Sequence, residues 1–164
     1  YQWHGPIIVI PMIFIALTMP ILVQEWVAGK KCRFRKIMLW VCALMLCVSV
    51  PLVMLASLLS PWVMALYGPE FKQGWLVLVL LLAAAPLHGI SKIATGALLA
   101  MNRAWLVLSA NVVWGGVLVI LALMLVSQMG ALGLAYAFVA AYAATLLVQL
   151  LMVYRCSSES RVID

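Results

Sequence analysis

Five apolar runs, at 6–26, 37–65, 75–100, 104–126 and 131–154, take up most of this 164-residue chain. Each is long enough to cross about 30 Å of hydrocarbon at 1.5 Å per residue. None alternates apolar with polar residues as a strand does, and lipid accepts only helices and closed barrels, so each run reads as a helix. The expected fold is an all-α, polytopic membrane bundle of about five transmembrane helices with a cytoplasmic tail at 155–164. Composition points the same way. With 68% hydrophobic and 9% charged residues, the chain lies far from the ~45–50% and ~25% of soluble domains. Disorder and a disulfide-stapled secreted scaffold are excluded on the same ground. No stretch is left for a separate water-soluble domain.

Charge sets the expected orientation. The connection at 28–36 holds Lys30, Lys31, Arg33, Arg35 and Lys36, half of all Lys and Arg in the chain. Short loops rich in these residues stay in the cytoplasm, which places the amino terminus outside and the carboxy terminus inside. Lys72 and Arg103 fall in the next two connections, and Arg155 and Arg161 in the tail. Trp and Tyr favour the two membrane boundaries. Trp26, Trp40, Trp105 and Tyr154 fall at the inner one and Trp3, Trp62, Tyr67 and Trp75 at the outer, leaving Trp114 deep.

Polar groups at membrane depth are expensive, so each needs a reason. Lys92 lies roughly 15 Å before the inner end of the third helix. A central Lys costs about 2.5–3.5 kcal/mol on the insertion scale, which the surrounding Leu, Val and Ile offset. His88 stands one turn earlier, and Gly89, Ser91, Thr95 and Gly96 extend a small or polar side along the same helix. One reading has Lys92 snorkelling to the surface or bonding a carbonyl, with the glycines permitting close packing. The other has this side lining a hydrated cationic cavity for an anionic substrate. His88 is either a packed, hydrogen-bonded group or a ligand and proton relay. Asn111, Tyr142 and Gln149 join the cavity reading as candidate substrate contacts, with Thr145 on the stripe shared by the last two. Interhelical hydrogen bonds worth about 1 kcal/mol account for them equally. Gly133, Ala137, Ala140, Ala141 and Ala144 read as a packing seam, and Pro11, Pro20, Pro51, Pro61 and Pro86 as sites where helices kink.

Other chemistry is missing. Glu25, Glu70, Glu159 and Asp164 sit at loops or ends, so no paired carboxylates serve acid–base or metal chemistry in the bilayer. There is no Ser–His–Asp set, phosphate loop or metal cluster. The expectation is therefore a chain that is not an enzyme, with no catalytic residue, metal or cofactor. Cys32, Cys42, Cys47 and Cys156 read as reduced thiols. The basic connection calls for anionic membrane lipids rather than nucleic acid. Residue 1 is Tyr and the first apolar run starts without a basic flank, which is not a signal peptide. The expectation is a chain lacking its natural beginning.

The order of motifs is also recognisable. Thr18-Met19-Pro20-Ile21-Leu22 closes a helix before the basic connection. A long helix then ends in Ala65-Leu66-Tyr67-Gly68-Pro69-Glu70-Phe71, Asn102 ends the next, Asn111 and Gly115 follow, and Gly130-Ala131-Leu132-Gly133-Leu134-Ala135-Tyr136-Ala137 opens the last. Together these resemble the polysaccharide-exporter branch of the multidrug/oligosaccharidyl-lipid/polysaccharide flippase superfamily. The resemblance implies most of one lobe of a two-lobed flippase, its carboxy-terminal lobe from the second helix onward. It implies transport of polyprenyl-pyrophosphate-linked oligosaccharide across the bacterial inner membrane by alternating access, for surface polysaccharide or lipopolysaccharide assembly, O-antigen included. The other lobe would be an amino-terminal one or a second copy. A cation-coupled multidrug antiporter of the same superfamily and a non-catalytic structural subunit are the alternatives. The antiporter reading lacks an intramembrane carboxylate.

Overall fold

The structure is a computed structural model describing residues 16, 18–66 and 74–159. These residues are helical throughout apart from short turns, and none forms a strand. The all-α reading holds. Helix α1 covers 18–27, followed by α2 (Lys31–Leu66), α3 (Trp75–Ala100), α4 (Ala104–Met129) and α5 (Ala131–Glu159). The last four are each long and apolar enough to cross a membrane, so the chain is built as a multi-pass membrane protein. Trp3, Pro11, Tyr67-Gly68-Pro69-Glu70-Phe71, Lys72 and Arg161 lie outside the described residues.

Helix α2 starts at Lys31, not at 37. Hydropathy marks where hydrocarbon begins, whereas Lys and Arg are good helix formers and extend the helix into the polar boundary. The connection therefore shrinks to 28–30, turned at Gly29 with φ 71°, and most of its basic residues ride on the first turns of α2. Helices α4 and α5 likewise run past their apolar runs, to Met129 and Glu159. Pro51 and Pro61 lie inside α2 and Pro86 inside α3, and neither helix is interrupted there.

Tight turns set α4 antiparallel to α3 and α5 antiparallel to α4. Asn102, at φ 57°, reverses the chain between α3 and α4, where the Arg103 N–H donates to the Leu98 carbonyl at 2.9 Å. A single residue, Gly130, joins α4 to α5 at φ 56°, ψ −129°, a conformation open to glycine. Beyond it α5 packs along α4 and also along α3, α3 packs along α2, and α3 and α4 touch only slightly. The spatial order is therefore α2, α3, α5, α4.

Small residues allow this closeness. A Cβ on Gly133 would strike the Leu125 backbone of α4. Ala137 and Ala141 are fully buried, while Ala140 and Ala144 are half-buried. One core gathers Leu22, Phe34, Met38, Leu98, Met101 and Val153 where α1 meets the bundle. Lys30, Lys31, Arg33, Arg35, Lys36, Arg103 and Arg155 collect at this same end, with the Arg35 guanidinium 5.8 Å from the Tyr154 ring centre. Among the described basic residues, Lys92 alone lies elsewhere. A smaller core of Val53, Leu82 and Ala85 ties α2 to α3 toward the other end.

Candidate functional site

Because α3 and α4 scarcely touch while both pack on α5, a cleft opens between them with α5 as its floor. The cleft holds a cavity of about 210 Å³. Helix α3 contributes His88, Ser91, Lys92 and Thr95, α4 contributes Asn111 and Trp114, and α5 contributes Tyr142 and Thr145. Residues 88, 91, 92 and 95 share a face because a helix turns about 100° per residue. Lys92 lies about 12 Å from the Ala100 end of α3. Four of the five residues expected to line a cavity, Lys92, His88, Asn111 and Tyr142, thus meet at one place.

Gln149 does not line it. It is 1% exposed and buried between α5 and α3. The Ser91 hydroxyl donates to its Oε1 at 2.7 Å, and its Nε2 donates to the Thr95 hydroxyl at 3.0 Å. One turn beyond Thr145 on α5, the side chain meets α3 where the two helices are in contact, so the amide finds protein partners rather than open space. The Thr145 hydroxyl turns back to its own helix, donating to the Ala141 carbonyl at 2.8 Å. The expected stripe of Tyr142, Thr145 and Gln149 therefore divides into two cavity residues and an interhelical clamp.

Helix α3 divides similarly. Gly89 and Gly96 lie about a quarter turn round from the polar side and face away from the cavity. A Cβ on Gly89 would strike the Met45 side chain of α2, and one on Gly96 the Met19 side chain of α1. The glycines serve packing, and His88, Ser91, Lys92 and Thr95 face α4 and α5.

Two polar groups in the cavity stand uncommitted. Lys92 and Asn111 are exposed, and neither has a hydrogen bond or ion pair among the described residues. No carbonyl among the described residues bonds Lys92, and its side chain lines the cleft. About one turn along the same helices stands an aromatic group. The His88 ring stacks on Tyr142 with centres 4.8 Å apart, and Trp114 lies 5.7 Å from Tyr142 and 6.0 Å from Phe138. The Trp114 Nε1 is buried without an acceptor. Sequence reasoning did not assign Trp114, which lines the cavity, or Phe138, which packs on the Trp114 and Tyr142 rings. The available signal was a tryptophan at membrane depth while its fellows sit at the boundaries. The level of Lys92 and Asn111 thus offers cation and amide from two walls, and the next turn, at His88, Trp114 and Tyr142, flat ring faces, a combination suited to an anion that carries a ring-shaped polar group.

No family model, curated protein or solved structure matches this chain.

Proposed function

We propose that this chain belongs to a membrane transporter that moves an anionic, glycan-bearing lipid between leaflets, in the manner of the polysaccharide-exporter flippases that its motifs resemble. The observation that carries the reading is the α3–α4–α5 cavity, in which Lys92 and Asn111 have no partner among the described residues. Retaining an unpaired ammonium at membrane depth gives no stability and calls for a functional role. Lys92 attracts the pyrophosphate of a polyprenyl-linked oligosaccharide, Asn111 pairs with its oxygens or hydroxyls, and the Tyr142 and Trp114 rings receive a sugar face. The basic end of the bundle faces the cytoplasm of a bacterial inner membrane, and Lys92 lies about 12 Å from that end of α3, which suits a substrate made on that side. Alternating access then requires a second lobe, from an amino-terminal segment or another copy.

Reconstitution tests this. Vesicles containing the protein with its second lobe, as a paired copy or joined to its amino-terminal segment, and a fluorescent polyprenyl-pyrophosphate oligosaccharide should lose leaflet asymmetry faster than protein-free vesicles. Lys92→Leu should slow that loss at least about tenfold, the effect of about 1.4 kcal/mol, while helicity by circular dichroism is unchanged. Transport at the wild-type rate by Lys92→Leu would remove Lys92 from the site, and no transport by the wild type with its second lobe present would favour a structural subunit.

A further inference from the structure

Helix α2 has two unlike sides. Phe34, Met38, Met45, Ser49, Val53 and Ser60 are buried against the bundle. The opposite side carries a shallow groove of about 750 Å³, whose wall includes Arg33, Lys36, Ile37, Trp40, Leu44 and Cys47. The spacing keeps these residues on one helix face, and the charges are confined to one end. Beyond Lys36 the lining is apolar for about 15 Å, from Ile37 to Cys47. Trp40, 72% exposed, stands where charge gives way to hydrocarbon.

The two cations differ. Arg33 Nε lies 3.4 Å from Glu25 Oε1, so its charge is partly answered. Lys36 is exposed and has no ion pair or hydrogen bond among the described residues. A cationic mouth leading into an apolar trough is complementary to an amphiphile with an anionic head and an acyl tail. A second copy fits poorly, because a two-fold pair across this face would set Arg33 and Lys36 against the same residues of its mate, a like-charge contact.

We propose that this face of α2 seats one anionic phospholipid, its phosphate on Lys36 and the outer edge of Arg33 and one acyl chain along Trp40, Leu44 and Cys47. The site is separate from the α3–α4–α5 cavity and holds whatever that cavity transports. Native mass spectrometry of the purified protein, titrated with dioleoylphosphatidylglycerol or dioleoylphosphatidylcholine, reads it out. One phosphatidylglycerol should be retained in preference to phosphatidylcholine. Lys36→Gln should weaken retention about fivefold, the factor that one interfacial charge carries. Cys47→Trp, which fills the trough and leaves every charge in place, should weaken it as well. Lys30→Gln removes an exposed charge outside the groove and should change retention less than twofold. Equal retention of the two lipids would overturn the proposal, as would a Lys30→Gln effect matching that of Lys36→Gln, which marks diffuse attraction. So would indifference to Cys47→Trp, or displacement of the lipid by equimolar inorganic phosphate.

Discussion

Gln149 and Lys92 illustrate opposite treatments of a polar residue among apolar neighbours. Gln149 uses both ends of its amide on α3, so Gln149→Leu should destabilise the protein by about 1–2 kcal/mol, the range of interhelical hydrogen bonds in membranes. Lys92 has no partner to lose among the described residues, and Lys92→Leu should leave stability unchanged or raise it. Unfolding in mixed detergent micelles of increasing dodecyl sulfate content measures both, and a large loss for Lys92→Leu would reveal a partner within the folded chain. Helical spacing alone grouped His88 with Lys92 and Tyr142 with Thr145, because residues three or four apart share a face. The same spacing already sets Gly89 about 200° round from Ser91, so grouping the two counted small size as position. It was too coarse to separate Gln149 from Thr145, which depends on where neighbouring helices lie, and nothing local encodes that. Trp114 and Phe138 stayed hidden for a related reason, since an aromatic residue in an apolar helix is indistinguishable from filling until its neighbours are known.

Helix packing rests on where a glycine meets something rigid. On α5, Gly133 faces the Leu125 backbone, which cannot move aside as a side chain can. Gly133→Ala should cost about 1–3 kcal/mol as an overpacked contact. On α4, a Cβ at Gly116 meets nothing within 4 Å, so Gly116→Ala should be neutral or gain up to about 1 kcal/mol from helix propensity. The same micelle titration separates them, and equal effects would refute the backbone contact. Element type was legible because each apolar run exceeds a membrane's thickness. Element ends were less so: α2 reaches back to Lys31 because a basic side chain can be helical and solvated at once, a combination that hydropathy does not register.

At the scale of the whole molecule, the collection of basic residues at one end fixes which measurement decides orientation. A variant keeping Cys32 as its sole cysteine carries an exposed thiol at the basic end. A cysteine-free background with Ser127→Cys carries one near the Gly130 turn, where Ser127 is exposed. With the basic end cytoplasmic, a membrane-impermeant maleimide should label the Ser127→Cys variant in intact cells and Cys32 only after permeabilisation. The reverse pattern would invert the protein. Antiparallel alternation was legible from the short connections, whereas the spatial order was not, because α5 inserts itself between its predecessors. That insertion also bears on manufacture. The ribosome finishes α3 and α4 before α5, yet those two helices hold little of each other. The newborn hairpin must wait in lipid with Ser91 and Thr95 lacking the amide that later joins them. A chain halted before Gln149 keeps that polar stripe bare, so α3 and α4 become one unit only when α5 arrives to bridge them.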